Sequence, residues 1–252
     1  MGFDVAAEAY DRFMGRYSRL LAPQLADLAS VSTGQRVLDV GCGPGALTSE
    51  LVARLGADAV AAVDPSPPFV AAIRARLPGV AVQEASASSL PFADGAFDAV
   101  LAQLVVHFMP DPEAGIAEMT RVCTSGGVVA ACVWDIAGGR APHSPFWQAV
   151  HDLFGDAEDE SERPGARAGH LVSLFKAVGL SDVVERELVA RREHASFEEW
   201  WEPYEEGVGP AGQYVAALSP DARGALRDRC RVLLPEPPFT ISSVAWAARG
   251  RA

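Results

Sequence analysis

Three glycines at alternate positions, Gly41, Gly43 and Gly45, follow Asp39 in the stretch Val37-Leu38-Asp39-Val40-Gly41-Cys42-Gly43-Pro44-Gly45-Ala46-Leu47. A second carboxylate, Asp64, closes a short apolar run over residues 60–63. Glycine opens backbone angles closed to other residues and lets the main chain touch a ligand with no Cβ between them. An acid about twenty residues beyond such a loop is placed to meet the hydroxyls of a nucleotide ribose. Two histidines extend the chemistry: His107, a candidate general base after a later apolar run, and His143. With Trp147, Trp200, Trp201 and Tyr204 they could supply the aromatic lining and few polar groups of a small-molecule pocket. Residues of these types also pack cores and helices, so both roles stand for them.

These groups need a scaffold, and the sequence around them supplies one. Val37 to Val40 suit a buried parallel strand, the glycines make a tight loop, and Leu47, Leu51, Val52 and Leu55 form one face of a helix capped by Gly56. Strand, loop and helix in that order put the glycines at the carboxyl end of a strand. Open α/β sheets bind nucleotide-like ligands there.

Asp39-x-Gly41-x-Gly43-x-Gly45 resembles the first motif of the class I S-adenosylmethionine-dependent methyltransferases. The dinucleotide-binding pattern G-x-G-x-x-G would place its third glycine at Ala46. Further matches follow in order: Asp64, then Leu90-Pro91-Phe92 with Phe97-Asp98-Ala99-Val100, then Ser125-Gly126-Gly127 before an apolar strand. The set spans residues 36–135 and is similar to the small-molecule branch that includes the ubiquinone/menaquinone C-methyltransferases.

The resemblance implies an α/β fold, a Rossmann-like seven-stranded and mostly parallel sheet with helices on both faces, an antiparallel last strand and a helical cap insertion. It implies S-adenosyl-L-methionine as cofactor and in-line methyl transfer to the O, N or C atom of a small-molecule acceptor. One domain over 1–252 would divide into an N-terminal helical lid (1–35), a cofactor-binding core (36–135) and the remaining sheet with an acceptor-side insertion (136–252). Carried onto this sequence, the cofactor residues are Asp39, Gly41, Cys42, Gly43, Gly45, Asp64, Pro65 and Ser66, with Tyr17 (beside Tyr10 and Arg16) reaching the methionine end. Cys42 reads as a small filler of the loop. The position of the usual adenine-binding Asp is taken by Ser86, with backbone contact from Ala87 as the substitute, a departure that weakens the adenine subsite. Gln103, Val106 and His107 lie where the family faces the transferred methyl.

Composition bounds the alternatives. The 252 residues are 49% hydrophobic, yet no uncharged apolar run approaches the roughly 20 residues of a membrane span. The start, Met1-Gly2-Phe3-Asp4, lacks the basic and apolar regions of a secretory signal, so a cytoplasmic protein is expected. A net charge of −12, from 21 basic and 33 acidic side chains, argues against a nucleic-acid partner. The four cysteines show no C-x-x-C spacing, and no metal is expected. The acidic run Asp156-Ala157-Glu158-Asp159-Glu160-Ser161-Glu162 reads as a solvated loop. A homo-oligomer stays open. A nicotinamide-dependent oxidoreductase and a non-catalytic S-adenosylmethionine-binding protein are the competing classes.

The rest of the chain fills in the scaffold. Ser18 is an N-cap candidate for a helix with Leu21, Leu25 and Leu28, and Ser66-Pro67 opens another helix. Strands are predicted from Val80 and over 96–104, 128–134, 183–189 and 239–247. Ser196-x-x-Glu199 looks like a capping box, and Ser219-Pro220 opens a further helix.

Overall fold

The computed structural model describes residues 7–155 and 159–252. Met1 to Asp4 and positions 156–158 of the acidic run lie outside the described residues. A short helix α1 (Ala7–Tyr10) continues through a π-helical turn (Asp11–Gly15) into α2 (Arg16–Leu28). The alternating half then follows as β1 (Val37–Val40), α3 (Ala46–Leu55), β2 (Val60–Asp64), α4 (Pro67–Arg76), β3 (Ala81–Glu84) and β4 (Phe97–Gln103). After α5 (Pro112–Val122) and β5 (Cys123–Trp134) come α6 (Ser144–Phe154), α7 (His170–Ala177) and β6 (Ser181–His194). The chain closes with α8 (Phe197–Trp201), α9 (Gly209–Ala217), α10 (Pro220–Leu233) and β7 (Phe239–Arg251).

The strands form one seven-stranded sheet in the order β3-β2-β1-β4-β5-β7-β6. Strands β1 to β5 pair in parallel, whereas β7 runs antiparallel to both β5 and β6. The expected Rossmann-like architecture with an antiparallel last strand is therefore present. β1 is buried along its whole length, as a strand covered on both faces must be, and this accounts for the continuous apolar run around Asp39. One core cluster packs α2 and α3 on one face of the sheet, and a second packs α5 and α7 on the other. A third, of Phe13, Phe146, Trp147, Phe197, Trp200, Trp201 and Tyr204 with neighbours from α9 and α10, forms the helical cap.

Local chemistry sets the helix ends. Asp111 Oδ1 accepts from the N–H of Ala114, Ser196 Oγ from Glu199, and Ser219 Oγ from Ala222. The capping box closes through a neighbour, since Glu199 Oε2 accepts from the N–H of Ala195. Ser18 is not an N-cap: helical turns already precede it, and its hydroxyl donates to Met14 O at 3.1 Å. Strands β6 and β7 outrun their predicted ends because they pair with each other along nearly their whole lengths, so polar residues at 191–193 remain in the ladder. Those charges sit on edge strand β6, where they discourage pairing with another chain. Helix α9, from a Gly-Pro-Ala-Gly stretch with turn composition, has no counterpart in the sequence reading.

Candidate functional site

The turn after β1 holds its three glycines in the left-handed region, with φ of +70°, +52° and +100° at Gly41, Gly43 and Gly45. They serve different ends. A Cβ on Gly41 would collide with Val105 at 2.5 Å, so that glycine allows close packing. A Cβ on Gly43 would meet nothing within 4 Å, because the position faces open space. Asp64 ties this loop to the next one: its Oδ2 accepts from Gly43 N and its Oδ1 from Ser66 N, both at 2.8 Å. Each oxygen keeps a second lone pair for a ligand. Burial pushes the Asp64 carboxyl above its ordinary range, while the two N–H bonds favour its charged form.

Two cavities open at the carboxyl ends of β1, β2 and β4. The glycine-loop cavity has about 990 Å³ of empty space when its opening to solvent is counted, and Gly41, Gly43, Asp64, Pro65, Ser66 and Gln103 are among the residues of its wall. The second and smaller, about 450 Å³ when its opening to solvent is counted, is lined by Phe13, Met14, Trp134, three titratable residues (His107, His143 and Glu160) and residues 208–211. Tyr10, Leu104 and Phe108 belong to both walls. Leu104 takes φ +61° where β4 ends, a strained angle for a branched side chain, at the junction of the two spaces.

Within the first cavity and just behind it, two buried acceptors have no partner among the described residues: Asp39 Oδ1 and Gln103 Oε1. Gln103 donates through Nε2 to Ser18 O on α2 at 3.0 Å, which joins the N-terminal helix to the end of β4. Asp39 accepts from Thr48 Oγ1 at 2.6 Å, and burial raises its pKa to about 7. In the second cavity, burial lowers the His107 pKa to about 4, so the ring is uncharged at neutral pH. Burial also opposes the charge of Glu160. His143, with the charge of Arg163, more than offsets that effect and holds the carboxyl below the usual glutamate range.

Residues 38–131 match the methyltransferase domain family model. The matched stretch contains the glycine loop, Asp64, Gln103 and His107. An uncharacterized methyltransferase of Mycobacterium tuberculosis is 37% identical over 140 residues, 56% of this chain and 54% of that one. The chain thus spans about half the length of that relative. Among solved structures, the YcgJ protein of Bacillus subtilis superposes with a TM-score of 0.59 at 18% identity, covering 91% of this chain and 97% of that chain. Phosphoethanolamine N-methyltransferase 2 of Haemonchus contortus, solved with phosphomonomethylethanolamine and S-adenosylhomocysteine, gives 0.59 at 17%, over 99% of this chain and 57% of that one. These likenesses establish the fold.

The structure brings together part of the expected set. Gly41, Gly43, Asp64, Pro65, Ser66 and Gln103 line the larger cavity, and His107 and His143 line the smaller. Gly45 instead packs at the back of the loop, where a Cβ would come within 3.3 Å of Ile73. Cys42 sits in a small core with Ala62, Val70, Ile73 and Val82, its thiol pKa raised well above the ordinary value by burial. Ser86 is exposed and bonded to Ser88, Ala87 is half-buried, and Val106 is wholly buried; none of the three lines either cavity.

Tyr17 is off both walls too, since its hydroxyl is spent on His194 Nε2 at 2.8 Å. Trp147, Trp200, Trp201 and Tyr204 are packing residues of the cap, with Tyr204 stacked 4.8 Å from Phe146 and edge-on to Phe13. They stand behind the cavity wall rather than in it. Glu160, Phe13 and Met14 escape the sequence reading, whereas Tyr10 is among its candidates. Glu160 is only 5% exposed, although its acidic run has the composition of a solvated loop. Tyr10, Phe13 and Met14 reach the cavities from the π-helical turn and its approach, an irregularity that often marks functional sites.

Proposed function

We propose that this protein is an S-adenosylmethionine-dependent methyltransferase that binds the cofactor in the glycine-loop cavity and a small-molecule acceptor in the adjoining one. The observation that carries this reading is the shared wall of Tyr10, Leu104 and Phe108, which sets two cavities of different character side by side. The residues present fit the cofactor. Gly43 leaves the space a nucleotide's backbone contact requires, Asp64 offers charged acceptors to the ribose hydroxyls, and Gln103 Oε1 and Asp39 Oδ1 are buried acceptors without a described partner.

When bound, S-adenosylmethionine supplies a methyl group activated on a sulfonium. The chain's own task is then mainly to hold the acceptor in line, a contribution of up to roughly 7–11 kcal/mol in favourable cases. Phe13, Met14, Trp134 and Val208 exclude water from the acceptor, and His107, uncharged at neutral pH, is able to take a proton from it. The resemblance to ubiquinone/menaquinone C-methyltransferases covers residues 36–135 and bears on cofactor handling; Glu160, His143 and residues 208–211 of the acceptor wall lie outside it.

Calorimetry with S-adenosylhomocysteine and with NADH tests the reading directly. S-adenosylhomocysteine should bind and NADH should not, and labelled methyl should appear in a member of an acceptor panel. Binding of NADH in its place would overturn the assignment.

A further inference from the structure

The smaller cavity is apolar and aromatic on most of its wall, yet it includes a carboxylate. We propose that this cavity takes an acceptor carrying a protonated amine, with the ammonium held by Glu160 and flanked by the rings of Tyr10, Phe13, Phe108 and Trp134. The inference rests on the reading of this cavity as the acceptor site and narrows it to a substrate class.

Three observations point there. First, Glu160 is buried and ionised, a combination that is costly unless the charge meets donors. Second, the ion-pair contacts to its side chain are long. His143 Nε2 stands 3.5 Å from Oε2, at the outer limit of a hydrogen bond, and Arg163 Nη1 stands 3.8 Å from Oε1, an ion-pair distance. Third, Arg163 is not part of the cavity wall, and its guanidinium lies 5.2 Å from the centre of the Phe108 ring. Glu160 therefore belongs to the cavity wall, whereas the Arg163 that pairs with it does not.

The other groups around the carboxylate leave that balance intact. His107 is uncharged at neutral pH, and the Tyr10 hydroxyl, pushed by burial up to about 12, is uncharged as well. Nδ1 of His107 and both ring nitrogens of His143 are buried without a hydrogen-bond partner among the described residues, so polar capacity converges on this space unspent. An ammonium group would satisfy the carboxylate with charge-assisted bonds, and the aromatic walls favour a cation over a neutral isostere. An anionic acceptor would be repelled.

The test uses three probes of one shape, benzylamine, benzyl alcohol and benzoate, titrated calorimetrically into the whole protein with and without S-adenosylhomocysteine. Benzylamine should bind about 10- to 100-fold more tightly than benzyl alcohol, as expected for a charged hydrogen bond, and benzoate most weakly. Glu160→Gln should remove the preference for the amine. Arg163→Gln, which takes away the competing cation, should strengthen it, and this second variant decides the matter should Glu160→Gln fail to fold. Wild-type protein that shows no preference for benzylamine, whether the probes bind alike or not at all, overturns the proposal, as does a preference that survives in folded Glu160→Gln protein. S-adenosylhomocysteine affinity reports separately on the methyl-transfer reading. If it is absent while the amine preference stands, that reading falls alone; if it is present without the preference, only the amine assignment falls.

Discussion

Asp64 holds two loops with the same two oxygens that it offers to a ligand, so its roles in structure and binding are not separable by position. Asp64→Ala should weaken S-adenosylhomocysteine binding about 10- to 150-fold, from loss of a charged hydrogen bond worth roughly 1.5–3 kcal/mol. It should also lower Tm, because Gly43 N and Ser66 N lose their acceptor. Calorimetry and thermal unfolding of the same variant check both, and unchanged affinity in folded protein would remove Asp64 from the site. Gly43→Val is the sharper probe of the loop. Its side chain would enter open space from a φ of +52°, so binding should be abolished in whatever protein folds.

Asp39 gives a pH prediction whose sign follows from its shift. Its carboxyl titrates near 3.8 when free and at about 7 in the fold, so the folded state holds the proton more tightly. Its stabilising effect is full below about pH 4 and is lost as pH rises through about 7. Three units correspond to roughly 4 kcal/mol at most. Asp39→Asn, which mimics the protonated form, should match the wild-type Tm near pH 4 and exceed it above pH 7 in the ligand-free protein. Equal melting temperatures at both ends would show that Asp39 carries no buried charge. Asp39, the glycines and Asp64 could be read from the sequence because one short segment contains the whole pattern. Glu160 could not, because its burial depends on His143 and on a cavity wall assembled from α1, β4, β5 and α9, and neighbouring acids dominate its local composition.

Among the elements, the cap shows where sequence reading stops. Trp200 and Trp201 are adjacent aromatics on a short helix, and their spacing does not reveal whether they face a ligand or other side chains. The structure shows both fully buried, packed with Phe197, Phe146 and Tyr204. Trp200→Ala should therefore cost about 3–5 kcal/mol, a large share of a typical domain's stability. Denaturant unfolding measures this, and a variant of wild-type stability would return Trp200 to the pocket. Ser196→Ala at the start of the same helix should cost about 1 kcal/mol. Strands β1, β2 and β4 were legible because burial on both faces makes them continuously apolar. Strand β6 was read short because an exposed edge accepts charged residues that look like loop, and β7 because its last residues include Arg249, Gly250 and Arg251.

At the scale of the whole molecule, β7 is the closing piece. Every residue of β5 from Val128 to Trp134 has a β7 partner, and β7 in turn carries nearly all of β6. Ala247→Pro, which removes an N–H between Cys132 and Arg186, should abolish cooperative unfolding and soluble yield. A soluble, cooperatively melting variant would show that the sheet tolerates a break at its seam. The central order of strands followed from the alternation of strand and helix patterns, whereas the insertion of β7 between two earlier strands depends on pairing across long stretches of chain.

That insertion bears on how the protein comes into being on the ribosome. Synthesis delivers β5 and β6 well before β7, with α8, α9 and α10 made in the interval. Until β7 is made, the Val-Val-Ala-Ala-Cys-Val run at 128–133 presents an unmatched apolar edge, the kind of edge that recruits other nascent chains. Aggregation of the nascent chain is therefore expected to be lower the sooner β7 follows β5 out of the ribosome, a consequence of placing the pairing partner so late in the chain.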